Sequence, residues 1–190
     1  MSIEAVRAEL DEHALVLAHV REDLAPQIAE LAQLVVDTLR GGGKLLFCGN
    51  GGSAADAQHL AAEYVVRFDR ERAPLAAVAL TTDTSVLTAG ANDLGFERIF
   101  ERQVRALARR GDLLLLHSTS GMSENLLLAA RAAREIGVAT AALLAGGGGR
   151  LKDLVDLALV VPTASPARAQ EMHIAIGHIV CSLADRALTK

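Results

Sequence analysis

Five short apolar runs, at residues 44–48, 75–80, 113–117, 138–144 and 157–161, alternate with segments of helical spacing, and this alternation most narrows the folds open to the chain. Runs of this length, rich in Leu, Val and Ala, read as parallel strands buried on both faces. Between and after them, residues 53–67, 96–109, 124–136 and 167–188 repeat apolar side chains at helical intervals. The pattern predicts an α/β fold, a doubly wound parallel sheet with helices on both faces. Gly111 and Gly137 stand where helices must stop before the next strand.

Ahead of the first strand, Ile3, Val6, Leu10, Leu17, Val20, Ile28, Leu31 and Val35 recur at helical spacing. Pro26 fits the first turn of a helix far better than its interior, so two N-terminal helices are expected, with a break at residues 23–25. Their apolar seam suits packing against another subunit or against the chain's own sheet. A length of 190 residues fits one domain, spanning 1–190, in which residues 1–40 form a helical pair used in oligomerisation.

Charge and composition exclude several classes. Nineteen Lys and Arg against 23 Asp and Glu leave a net charge of -4, and the basic residues are scattered, so no nucleic-acid partner is expected. No apolar run approaches the ~20 residues of a membrane span. Residues 1–10 mix apolar with charged positions, unlike a secretory leader. The two cysteines, Cys48 and Cys181, lack disulfide or zinc-knuckle spacing. A cytoplasmic protein is the expectation.

Two strand-to-helix loops carry the chemistry. The first, Gly49-Asn50-Gly51-Gly52-Ser53, opens a helix whose unpaired N–H groups and dipole favour an anion, phosphate above all. Its bland alternative is a tight turn. The loop also satisfies a dinucleotide pattern through Gly49, Gly51 and Ala54, but Leu80 is followed by Thr81-Thr82 where a ribose-binding acid belongs. The second loop, Ser118-Thr119-Ser120-Gly121-Met122-Ser123, supplies four hydroxyls where capping needs one, and the surplus suits phosphate oxygens. One helical turn beyond the first loop, His59 and Glu63 stand at i and i+4 and share a helix face, which suits a common metal or substrate.

The segments GNGGSAADAQHLAAE, ANDLGFERIFERQV, STSGMS and RAQEMHIAIGH resemble, in order and over nearly the whole chain, the successive motifs of the phosphoheptose isomerases, sedoheptulose 7-phosphate isomerases of the sugar isomerase (SIS) fold. The resemblance implies a flavodoxin-like sheet, a homotetramer with active sites at subunit interfaces, and one divalent ion per site, usually zinc. It implies an aldose–ketose isomerase of heptose biosynthesis, forming D-glycero-D-manno-heptose 7-phosphate through an enediol. Glu63 is the expected base and His178 the acid, residue types that proton-transfer sites tune toward neutrality. Matching motif positions make His59, Glu63, Gln170 and His178 metal ligands. Asn50, Gly51, Gly52, Ser53, Glu63, Asn92, Asp93, Ser118, Thr119, Ser120, Ser123 and Gln170 become substrate contacts, while His173 is read as structural. Asn92-Asp93 also fits a plain turn before a helix at Phe96, and Arg67 suits a substrate contact or a surface ion pair equally.

Gln170 and His178 stand about 12 Å apart along a helix at 1.5 Å per residue, so they are expected to serve sites in different subunits. Either His178 or Gln170 would then meet His59 and Glu63 of another chain. The sequence departs from the family where DRIQE is usual, reading Ala167-Arg168-Ala169-Gln170-Glu171, and at Met122, where Asn is usual. Residues 145–149, Ala-Gly-Gly-Gly-Gly, are barer than the usual loop there. The rival reading is a non-catalytic SIS protein binding a partner such as a replication initiator, whose relatives resemble residues 67–74; an imidazole at His178 has no role in such a module.

Overall fold

The computed structural model describes residues 2–189. Two helices, α1 (Ile3–Asp23) and α2 (Ala25–Arg40), meet at Leu24, with Pro26 in the first turn of α2. Five strands follow among the described residues: β1 (Leu45–Gly49), β2 (Ala77–Ala79), β3 (Leu113–Ser118), β4 (Ala139–Ala145) and β5 (Leu157–Val161). Between and after them run α3 (Gly52–Val65), α4 (Thr84–Leu94), α5 (Ile99–Leu107), α6 (Glu124–Ile136) and α7 (Pro166–Leu188). All strand pairs are parallel, in the order β2-β1-β3-β4-β5, the flavodoxin-like arrangement.

Side chains alternate across the strands and divide the core in two. Leu45, Phe47, Leu113 and Leu115 pack against α2, α3 and α7, while Leu46, Cys48, Leu114 and Leu116 pack against α5 and α6. Each fully buried Leu contributes roughly 1.5–3 kcal/mol, so these two layers hold the sheet between helices. The N-terminal helices split their roles: α2 buries Ile28, Leu31 and Val35 in the chain's own core, whereas α1 leaves Ile3, Val6, Leu10 and Leu17 exposed.

Three expectations need correction. The strand expected at 75–80 is only Ala77–Ala79, because flanking Leu75 donates its N–H to the Tyr64 carbonyl at the end of α3 instead of extending the ladder. The helix expected at 96–109 resolves into a 3₁₀ turn, Phe96–Arg98, followed by α5. Helix α4 is an addition: Asp83 caps it by accepting the Val86 N–H, and none of its residues is fully buried, Leu87 and Ala91 packing only partly against the core.

Candidate functional site

In the order 2-1-3-4-5, the chain leaves β1 and β3 toward opposite faces, and the crevice between their C-terminal ends is where such sheets bind ligands. Register puts Gly49 opposite His117, so the two Gly/Ser loops begin side by side. At Gly49 a Cβ would lie 2.6 Å from the Ser53 carbonyl oxygen, which requires glycine for so tight a turn. Helix α3 is capped by Gly51, which has no side chain to offer, and Ser123 makes no side-chain bond at the start of α6. Both helices therefore point first-turn N–H groups at the crevice without side-chain caps.

The second loop is shaped from within. Ser118 accepts the Gly121 N–H at 3.0 Å and Ser120 accepts the Met122 N–H at 3.2 Å, so two of the four expected phosphate hydroxyls also hold the turn. Gly121 lies under the 146–149 loop, where a Cβ would fall 1.9 Å from the Gly148 oxygen. The bare loop itself follows from its backbone: all four glycines, 146–149, have positive φ, and a Cβ at Gly149 would fall 2.4 Å from the Ser120 oxygen. A cleft of about 290 Å³ opens beside Thr119, Ser120, Gly146 and Ser165, and another of about 310 Å³ beside Asn50, Ser123 and Asn125. Asn125, which sequence reasoning missed, exchanges two amide hydrogen bonds with Asn50, at 3.0 and 2.8 Å, and locks the loops together. Its position one residue into α6 after a hydroxyl-rich turn was the available signal.

Helices α3 and α7 run side by side, with the Gly177 backbone against Leu60 and the Gln170 amide against Gly52. This register sets His178 beside His59, Nε2 to Nε2 at 2.8 Å, while Glu63 Oε1 lies 3.2 Å from His59 Nε2. The Phe68 ring stacks on His178 with centroids 5.3 Å apart. Arg72 anchors the end of α3, donating to the Glu63 and Tyr64 carbonyls and pairing with buried Asp185. Of the two alternatives, His178 or Gln170 meeting His59 and Glu63 of another chain, the first is corrected: His59, Glu63 and His178 meet within one chain, because α3 and α7 pack in parallel.

These donors converge as a cation site requires. Donor atoms of His59, Glu63 and His178 lie within 4.8 Å of one another, and two facing imidazole nitrogens with a carboxylate oxygen form a donor set suited to zinc-like ions. The residues fit a divalent ion. Gln170 is set nearer the phosphate loop, at Gly52.

The remaining nominated residues fall elsewhere. Asn92 and Asp93 are exposed in the last turn of α4, Asn92 donating to the Asp93 carboxylate at 2.7 Å, so the plain-turn reading is replaced by a helix end. Arg67 pairs with Glu71 at 2.9 Å on the surface. Both cysteines are buried, and desolvation pushes the Cys181 thiol up to about 12 and Cys48 higher still, so neither is a nucleophile.

A parallel 2-1-3-4-5 sheet with paired Gly/Ser-rich loops at its switch point and a His–Glu–His group beside them defines a sugar-phosphate isomerase domain of the SIS class, and the SIS domain family profile matches residues 10–145. The phosphoheptose isomerase of Roseiflexus sp. is 53% identical over 186 residues, covering 98% of this chain and 92% of the relative. That of Rhodospirillum rubrum is 55% identical over 166 residues, 87% of this chain and 88% of the relative. Solved structures agree: the phosphoheptose isomerase of Neisseria gonorrhoeae superposes with a TM-score of 0.91 at 44% identity, covering 96% of this chain and 98% of that one. The enzyme of Francisella tularensis gives 0.94 at 38% identity, covering 98% and 99%. The chain belongs to the phosphoheptose isomerase family.

Proposed function

We propose that this chain isomerises sedoheptulose 7-phosphate to D-glycero-D-manno-heptose 7-phosphate. One observation carries the reading: His59 and Glu63 stand on the helix that the first Gly/Ser loop opens, about 10 Å from Gly52 to His59 at 1.5 Å per residue, and His178 joins them from the neighbouring α7. A sugar held by its terminal phosphate spans that gap and brings its carbonyl end to the His–Glu–His group. The relatives' function, at about half identity over nearly the full chain, supports the same conclusion.

In this mechanism the N-termini of α3 and α6, with Ser53, Thr119, Ser120 and Ser123, hold the phosphate, while Asn50 is kept in place by Asn125. Glu63 removes the proton from the carbon beside the carbonyl, and His178 moves the proton between the neighbouring oxygens as the enediol forms and collapses. Gln170, beside Gly52, binds the sugar chain. A bound zinc ion, held by His59, Glu63 and His178, would polarise the carbonyl and stabilise negative charge on its oxygen.

Assembly into a homotetramer with sites at subunit interfaces is part of the proposal, supported by the exposed apolar face of α1 and by the half-exposed His59. No described helix is long and apolar enough to cross a membrane, and two buried free thiols suit the reducing cytoplasm. A partner-binding module has no use for a base and an acid converging on one point, so the catalytic reading stands ahead of it. The deciding experiment incubates the zinc-loaded chain with sedoheptulose 7-phosphate and follows the aldoheptose phosphate. Turnover lost on chelation and restored by zinc is expected; absence of turnover in every metal-loaded form overturns the reading.

A further inference from the structure

Beneath the His59 group, between α3, α7 and the sheet, lies a second convergence of donors: atoms of Asp56, His117 and His173 all fall within 4.8 Å of one another. Each comes from a different element. His117 is the penultimate residue of β3, fully buried, on the sheet face it shares with Leu113 and Leu115. His173 is fully buried under α7, its Nε2 lying 3.1 Å from the Leu144 carbonyl of β4. Asp56 reaches in from α3, half-buried, one turn before His59. The two imidazoles meet edge to face with centroids 6.3 Å apart.

The hydrogen-bond count at this point does not close. Seven buried side-chain polar atoms lack a partner among the described residues, and four of them are here: Asp56 Oδ2, both nitrogens of His117 and His173 Nδ1. Each such atom costs about 1–3 kcal/mol. The Leu144 carbonyl fixes the His173 tautomer with its proton on Nε2, which leaves Nδ1 as an acceptor. An ionised Asp56 is also acceptor only, so the single N–H of a neutral His117 is the one donor available to all of them. Both imidazoles are fully buried, which disfavours their charged forms. The group lacks positive charge and has lone pairs to receive it.

We propose that Asp56, His117 and His173 form a second divalent-cation site, structural in role and separate from the His59–Glu63–His178 group. Two imidazole nitrogens and one carboxylate oxygen suit zinc or a neighbouring first-row ion. A backbone carbonyl behind His173 is the kind of outer partner that orients a ligating imidazole. The ion would tie α3 and α7 to β3, the elements that carry the two loops and the isomerase side chains.

The test uses the full chain carrying His59→Ala and His178→Ala, which removes the first donor set. Loaded with zinc, dialysed and analysed by plasma mass spectrometry, it should retain one zinc per chain. At a hundredfold excess of zinc over Kd its Tm should rise by roughly 5–10 °C. Adding His117→Leu should take the zinc to none and remove the Tm response, and Asp56→Asn, a milder change at the half-buried edge, should weaken retention at least tenfold. His117→Leu replaces an unpartnered buried imidazole with an apolar side chain of similar bulk, so its far-UV circular dichroism should match the parent. A zinc-free His59→Ala/His178→Ala chain, or undiminished zinc after His117→Leu, would overturn the proposal.

Discussion

Replacing Asp185 with Asn tests whether the floor of the site is held by charge. Asp185 is 2% exposed and takes the Arg72 Nε–H at 2.6 Å and the backbone N–H groups of Asp69 and Arg70 at 3.1 and 3.3 Å, while Arg72 is 4% exposed. The substitution keeps the volume but leaves a buried guanidinium without its counter-charge and turns an amide donor toward other donors. Removing one partner of such a pair costs about 3–5 kcal/mol. In a domain of this size each kcal/mol lowers Tm by about 2–4 °C, so Asp185→Asn should lower it by roughly 6–20 °C. The double change Arg72→Met/Asp185→Leu removes both charges and should cost less than Asp185→Asn alone. Acid should act in the same direction. Burial alone would raise the Asp185 carboxyl, but the Arg72 bond and the two backbone N–H groups outweigh it and hold the carboxyl below the usual carboxylate range. The stability it supplies is therefore full above the unfolded carboxylate pKa, about 3.9, and is lost as pH falls through the lower folded value. Thermal melts at pH 7 and across the acid range read both effects; an Asp185→Asn Tm within roughly 2 °C of the parent would refute the reasoning.

Asn125→Ala strands the Asn50 amide, which should raise KM for sedoheptulose 7-phosphate and lower stability by about 1–3 kcal/mol; unchanged values for both in kinetics and urea melts would contradict it. Ser120→Ala removes a hydroxyl proposed to hold the phosphate and should raise KM while leaving kcat near the parent value, as steady-state kinetics will read. Leu10→Glu places a charge on the exposed apolar face of α1, where Leu10 is 62% exposed, and should shift the light-scattering mass from tetramer toward smaller species.

Much of the fold was legible because local and global signals agree. The strand at 157–161 and the helix at 124–136 match β5 and α6 residue for residue, since each apolar run is bounded by clear stops such as Gly137. Helix α4 was not legible, because its stripe is short and weak, with Leu87 and Ala91 only partly buried and Thr, Gly and Asn interspersed. At the site, the i, i+4 spacing revealed His59 and Glu63, but placing His178 in the same chain depends on the packing register of α3 on α7, which spacing along one helix does not contain. Asn125 and His117 escaped notice for a related reason: what they touch lies 75 and 56 residues away, at Asn50 and His173.

The central claim is that Glu63 and His178 perform proton transfer at the His–Glu–His group, and steady-state kinetics with bound zinc measured on the same samples test it most directly. Glu63→Gln keeps shape but cannot accept the proton, and His178→Asn cannot relay it, so each should lower kcat by about 10²–10⁴-fold with a much smaller change in KM. Where Glu63→Gln also loses zinc, added zinc should restore only the part of the loss due to the metal. Full turnover by both variants at parental zinc content would contradict the isomerase mechanism.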